Sequence, residues 1–304
     1  MATDAGILEQ FVLRSNVSTF GRFRRSLISF IKHKPLGAVC AVIVIVLIAM
    51  ALFPGVFSRG VDPDVGTLSD RLIGPSSAHW FGTDQNGRDM FARIMYGART
   101  SVVIGFGVVA VATVIATFLG ILSGYFGGWI DTVVQRIVDI GIALPGLVFV
   151  ILFVVSLQQL DVRLRIILSV GLLIAVGSSR IIRGAAIAAK ENQYVEAARV
   201  LGASDMRIVF RHVLPNVMAV IIVSASIQIG GAILIESALA FLGYGVQPPV
   251  ASWGRMLNDA QLQISNHIYL AVFPGLAIFF TVYSFNMLGD ALRDVLDPRL
   301  RGSR

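Results

Sequence analysis

The chain holds few of the residue constellations that make or break covalent bonds. Its histidines, His33, His79, His212 and His267, are scattered, with none at an i, i+4 spacing. There is no HExxH string, so a membrane metalloprotease has no ligand pair to start from. The single cysteine, Cys40, lies inside an apolar run. That excludes a disulfide and a cysteine metal cage, and leaves Cys40 as a small packing residue. Gly177-Ser178-Ser179 and Gly289-Asp290 are the only hooks for an intramembrane enzyme. The serines lack a histidine in any apolar run, and the Gly-Asp lacks a second in-membrane aspartate. No GxxxxGK(S/T) phosphate loop exists, so the chain does not bind ATP by that means. Asp84, Asn86, Gly87 and Asp89 cluster, but without the twelve-residue spacing and terminal glutamate of a calcium hand. They read as a polar turn held by Asp and Gly. No catalytic residue and no metal ligand is expected.

The polar chemistry is concentrated instead in one segment, AAIAAKENQYVEAARVLGASDMRIVFRHVLPN, from Ala185 to Asn216. Its first half is rich in helix formers. Gly202 then stands where a left-handed C-terminal cap belongs. Ser204 is placed to cap a second helix, and Asp205 suits its positive end. Met206, Val209, Phe210, Val213 and Leu214 fall on one helical stripe, with Arg207 and Arg211 off it. Pro215 lacks a backbone donor and is expected to mark a bend into the next element. The small Ala197 and Ala198 permit close approach of a partner, and Glu196 can accept hydrogen bonds. The pattern is that of an ordered helix–turn–helix, or of an ordinary amphipathic helix on a membrane surface.

The elements that carry this segment follow from composition. Of 304 residues, 56% are hydrophobic and only 14% are charged. The mean hydropathy is +0.79. A soluble enzyme, a secreted disulfide scaffold and a disordered chain are all excluded. An all-α integral membrane protein is expected, with membrane lipid around it. A spanning helix needs about 20 mostly apolar residues. Six candidates run over Leu36–Phe57, Thr100–Ser123, Ile137–Leu157, Arg165–Ile182, Val217–Leu239 and Tyr269–Leu288. The first is too long for the apolar part of a signal peptide, and no clear cleavage site follows it. With six crossings, 17 of the 25 Lys and Arg fall on the side of the termini. That places both termini in the cytoplasm. The net charge of +7 is explained the same way, without a nucleic-acid partner. Between Ser18 and Lys34, Phe20, Phe23, Leu27 and Ile31 recur at helical spacing among basic residues. They predict a helix in the membrane interface, or one packed on a neighbouring subunit.

Polar residues inside spans are costly and usually face a bundle interior or a cavity. Asp139, Gln228, Glu236, Asn286 and Asp290 qualify. Gln228 and Glu236, eight residues apart, roughly share one helix face. That face is a candidate substrate path; the plainer reading is hydrogen bonding between helices. Gly120 and Gly124 form a GxxxG, and Ser226 and Gly230 a second small pair, both expected at helix crossings. Pro145-Gly146 should bend the third span, which would suit a gate. Pro248-Pro249 followed by Trp253 reads as a rigid outer turn with an interfacial aromatic, structural or in contact with an extracytoplasmic protein.

Glu196-Ala197-Ala198, three residues, Gly202, nine residues and then His212-x-Leu214-Pro215 together resemble the EAA loop of ABC importer permeases. That family often has isoleucine where His212 stands, and its peptide-importer branch accepts the variant. Three more strings are similar to the dipeptide/oligopeptide/nickel branch: HWFGTDQNGRDMFARIMYGARTS from His79, ESALAFLGYGVQPPVASWGRML from Glu236, and PGLAIFFTVYSFNMLGDALRDVLDPRLR from Pro274. The FGTDxxGRD string resembles the C-type permease subunit.

The resemblance implies a type I ABC importer permease fold in a bacterial cytoplasmic membrane. It implies an N-terminal segment over 1–35, a first span over 36–57 and an outer loop over 58–99. A transmembrane domain over 100–290 would contain the coupling loop 185–216, and a cytoplasmic tail would occupy 291–304. Glu196, Ala197, Ala198, Gly202, Ser204, Asp205, Leu214 and Pro215 would then couple the chain to an ATPase. Gln228, Glu236, Pro145 and Asn286 are the pathway or gate candidates. The implied partners are a homologous B-type permease, one or two ABC ATPase subunits, an extracytoplasmic substrate-binding protein and a peptide substrate. ATP and Mg would sit on the ATPase subunits, so the chain itself would carry no cofactor and be no enzyme. Nickel or another small solute is the alternative cargo.

Overall fold

The structure is a computed structural model and describes residues 34–296, with side chains through Asp294. The expected interfacial helix before Lys34 and the tail beyond Leu296 lie outside the described residues. The described chain is helical. Its elements are α1 (Pro35–Leu52), α2 (Pro54–Phe57), α3 (Met90–Ile121), α4 (Gly128–Ala143), α5 (Gly146–Ser156), α6 (Val162–Lys190), α7 (Gln193–Val200), α8 (Asp205–Ile208), α9 (Leu214–Phe241), α10 (Trp253–Ala260) and α11 (Tyr269–Leu296). Five helices are long and apolar enough to cross a membrane; α4 and α5 are so only when taken together as one pair, bent by 98° at their junction.

Local chemistry sets the boundaries. Asp89 caps α3 by accepting the Ala92 N–H at 2.8 Å, so this helix starts ten residues before the apolar run at Thr100. Asp161 caps α6 through the Arg163 N–H at 2.9 Å. The cluster Asp84–Asp89 is the expected polar turn. Asp84 Oδ1 accepts from the Asn86 and Arg88 amides, Oδ2 accepts from Arg88 Nε at 2.7 Å, and Gly87 has φ of 73°. The third span, expected over Ile137–Leu157 with a bend at Pro145-Gly146, is two helices that part there. Pro145 has no N–H to donate, and it forces Leu144 into extended backbone with ψ of 138°. The expected bend is thus a full break.

The packing shows that the broken pair returns the chain along the bundle. A Cβ on Gly120 would lie 2.8 Å from the Ser179 carbonyl, and one on Gly124 would lie 2.7 Å from the Arg183 carbonyl. The GxxxG therefore seats α3 against α6, as its spacing predicted. Because the C-terminal end of α3 meets the C-terminal end of α6, the two helices run parallel. The chain between them must return through the full thickness, and α4–α5 is what returns it. Lys34, just before α1, pairs with Asp294 near the end of α11. The two ends of the described chain therefore lie on one face of the bundle.

The main core joins α1, α3, α5, α6, α9, α10 and α11. Trp253 is fully buried in it and donates Nε1–H to the Ile94 carbonyl at 2.9 Å. The sequence reading of Trp253 as an interfacial aromatic is corrected here: its ring faces Gly97 of α3, where a side chain would collide with it. A second core cluster lies at the other end of α6, under the hairpin of α7 and α8.

Candidate functional site

The hairpin is built by backbone geometry first. After α7 the Gly202 N–H donates to Arg199 O and the Ala203 N–H to Ala198 O, each at 3.0 Å. This is the Schellman closure, and it needs the left-handed residue that Gly202 supplies with φ of 80°. Ser204 stands at the N-cap of α8; its side chain makes no capping bond, but its carbonyl accepts from Ile208 N. Asp205 opens α8 and accepts the Tyr125 hydroxyl at 2.6 Å. Val195 and Ile208 are fully buried against Ile182, Ala186 and Ala189 of α6. Glu196 and Ala197 are exposed and Ala198 is half-buried.

Two expectations about the second arm are corrected. Residues Val209–Val213 form a π turn, so the α-helical stripe does not hold. Ile208, Val209 and Val213 turn inward, whereas Met206 and Phe210 are left exposed. Nor does Pro215 interrupt the helix. The wider turn gives room for a proline that lacks an N–H and crowds the preceding carbonyls. Asn216 Nδ2 donates to the His212 carbonyl at 2.6 Å beside it. Helix then runs unbroken from Asp205 to Phe241, 37 residues or about 55 Å. Leu214 is half-buried and Pro215 exposed on this rod.

The hairpin leaves an apolar ridge uncovered. Val200 is 83% exposed, Leu201 87%, and Phe210 61%. Residues of this type at such exposure mark an interaction surface when they cluster.

The pathway candidates separate in space. Gln228 lines a cavity of about 830 Å³ between α6 and α9. Its Oε1 accepts from Ser178 Oγ at 2.8 Å, and its Nε2 donates to Ser224 Oγ at 2.7 Å. Glu236 does not share that cavity. It is fully buried against α3, where Oε2 accepts from Ser101 Oγ at 3.3 Å. Oε1 has no hydrogen-bond partner among the described residues. Eight residues at about 100° each leave the two side chains some 80° apart, which removes the shared face. Asn286 is exposed on α11 and lies close to Gly230 of α9. Pro145 is exposed at the α4–α5 break. Two arginine–aspartate pairs tie α6 to α4. Arg183 forks onto Asp131 at 2.6 and 2.5 Å, and Arg180 pairs with Asp139. Sequence reasoning named Ser178 only within the Gly177-Ser178-Ser179 string, and it missed Tyr125, Ser224 and the Arg183–Asp131 fork. Of these only the polar Arg183 and Asp131 beside apolar runs gave any signal.

The family described as "Binding-protein-dependent transport system inner membrane component" matches residues 116–302. The chain is 44% identical over 233 residues to the glutathione transport system permease protein GsiD of Pectobacterium atrosepticum, covering 76% of this chain and 77% of that one. It is 40% identical over 275 residues to the dipeptide transport system permease protein DppC of Alkalihalophilus pseudofirmus, covering 89% and 88%. A solved structure of the MetNI methionine ABC transporter shares the fold with a TM-score of 0.56 at 16% identity, covering 68% of this chain and 98% of that one. The family match, the identities over most of both chains and the apolar helices establish that this chain belongs to the binding-protein-dependent transport system inner membrane components, as a multi-pass permease subunit of the ABC importers.

Proposed function

We propose that the chain forms one half of the channel of an importer of short peptides and is driven by separate ATPase subunits through the α7–α8 hairpin. The observation that carries this reading is the uncovered ridge of Val200, Leu201, Met206 and Phe210 on a hairpin whose base is buried. An apolar ridge next to Glu196, Ala197 and the Gly202 turn is the surface a groove on an ATPase would take. The second arm is continuous with α9, so a push on the ridge moves a span as a rod. ATP and Mg belong to the ATPase in this scheme. Closure of its dimer draws two such hairpins together and turns the channel outward, and hydrolysis resets it. The other hairpin belongs to a homologous B-type permease. A substrate-binding protein delivers cargo at the opposite face, beside the Asp84–Arg88 turn and the segment leading into α10. The Lys34–Asp294 pair supports termini on a common face, and the excess of Lys and Arg assigns that face to the cytoplasm. Peptide cargo is supported by the relatives' glutathione and dipeptide transport.

The test is uptake of a labelled dipeptide, a labelled tetrapeptide and nickel by a deletion strain, the complemented strain and a Gly202→Asp strain. Peptide uptake lost in the first and third and restored in the second supports the proposal. Loss of nickel uptake alone overturns the cargo. Normal transport by Gly202→Asp, with the ATPase still copurifying, overturns the coupling role of the hairpin.

A further inference from the structure

The cavity between α6 and α9 has a lining that sorts ligands by chemistry. It follows α9 from Ala219 to Ile235, a rise of about 24 Å. Its volume of about 830 Å³ falls within the roughly 300–1,000 Å³ of small-molecule sites. Most of the wall is aliphatic, from Leu173, Ile174, Ile181, Val223 and Ile227. Midway along it stand Ser178, Ser224 and Gln228.

The hydrogen bonds of that trio leave a defined remainder. Gln228 Nε2 spends its hydrogens on the Ser224 carbonyl at 3.0 Å and on Ser224 Oγ at 2.7 Å. Ser224 Oγ therefore accepts, and keeps its own hydrogen to donate. Ser178 Oγ has one hydrogen and two acceptors in reach, the Ile174 carbonyl at 2.7 Å and Gln228 Oε1 at 2.8 Å, so Gln228 Oε1 accepts at most once and retains a lone pair. One donor and one acceptor stand side by side between aliphatic walls. That is the complement of a peptide bond, which offers one C=O and one N–H. A lipid acyl chain would leave both groups unpaired. The only formal charge in the lining, among the described residues, is Arg293 of α11. Its sign suits a carboxylate.

We infer that this cavity is a transit subsite for a short peptide with an apolar side chain and a free C-terminal carboxylate, its peptide bond held by Ser224 and Gln228 and its carboxylate drawn to Arg293. The inference rests on the peptide-importer reading above and adds to it a place and a preference within this chain. Gly177 supplies a probe. It lines the cavity, and a Cβ there meets no atom within 4 Å, so a side chain at this position enters open space.

The experiment uses the complete transporter in liposomes with its binding protein and ATP, and labelled Ala-Leu-Ala and its C-terminal amide. Gln228→Leu, which removes the acceptor and leaves the Ser224 donor, should lower uptake of both by about tenfold. Arg293→Gln should narrow the preference for the free acid over the amide. In a Cys40→Ala background, Gly177→Cys should react with a soluble maleimide, and turnover with Ala-Leu-Ala should slow that reaction several-fold. Copurification of all subunits controls for folding. A wild-type transporter that moves no peptide overturns the importer reading itself. A wild type that moves peptide, while Gln228→Leu matches it and Gly177→Cys labels at the same rate with or without peptide, overturns the subsite alone. Protection of Gly177→Cys by a copurifying phospholipid in the absence of peptide also overturns it.

Discussion

The Tyr125 hydroxyl, in the π turn Leu122–Phe126 that continues α3, donates to the Asp205 carboxylate at the start of α8, across 2.6 Å and 80 residues of sequence. It ties the hairpin to a second span besides the one its apolar base rests on. The hairpin is therefore joined to α9 through the continuous helix and to α3 through this bond.

Tyr125→Phe removes the bond and leaves the buried ring in place. Asp205 is solvent-exposed, so the loss should be near 1 kcal/mol, the middle of the range for a net hydrogen bond. Amide exchange over residues 203–208 should speed up about fivefold, the factor that 1 kcal/mol confers. Peptide uptake per ATP hydrolysed should fall with it. Unchanged exchange would show that Val195 and Ile208 hold the hairpin without help.

Gly202 separates conformation from contact. Its φ of 80° strains a side chain, yet a Cβ there meets no atom within 4 Å. Gly202→Val should cost roughly 1–2 kcal/mol in backbone strain and open the turn. Gly202→Asn, a residue that tolerates this region, should keep most of the transport. Copurification of the ATPase with each variant reads the outcome. If Asn and Val behave alike, the requirement at Gly202 is for a bare surface and not for the turn.

The two glycines Gly120 and Gly124 and the cap at Gly202 were legible in sequence, because spacing and backbone freedom are local properties. The crossings were legible because apolar length is a sum over neighbours. What escaped depends on partners far along the chain. Tyr125 has no signature of its own, since Asp205 is what makes it matter. Trp253 sits at the edge of an apolar run, where the same residue type suits a headgroup layer or a core; Gly97, 156 residues away, decides for the core. The stripe from Met206 to Leu214 failed because a π turn changes the angle per residue, and only the continuous helix beyond Pro215 requires that turn. Gln228 and Glu236 parted for a simpler reason: an 80° offset is enough to send one to the cavity and the other to α3.

The Arg183–Asp131 fork predicts strong coupling between two substitutions. Both bonds are short, 2.6 and 2.5 Å, and both side chains are mostly shielded. Asp131→Asn and Arg183→Gln should each lower the thermal unfolding midpoint in detergent. The double variant should be little worse than the poorer single one, with a coupling energy of about 1 kcal/mol or more. Additive losses would mean that α4 is held by its apolar face alone.

Trp253 of α10 packs its ring on Gly97 of α3. A Cβ on Gly97 would lie 2.8 Å from Trp253 Cδ1 and 3.0 Å from Nε1, and Trp253 cannot retreat, because Nε1 is held by the Ile94 carbonyl. Gly97→Ala should therefore destabilise the protein, although alanine in a helix interior is favoured over glycine by up to about 1 kcal/mol. Trp253→Ala should cost about 3–5 kcal/mol, the usual range for emptying a buried aromatic site. Trp253→Phe frees room beside Gly97 and gives up the indole bond. Combined with Gly97→Ala it should be less harmful than the two single losses added together, since the new methyl fills space the smaller ring vacates. Unfolding midpoints of the four variants in detergent decide it. A Gly97→Ala protein as stable as wild type would show that α3 and α10 can part without cost, and that the ring is not what fixes their spacing.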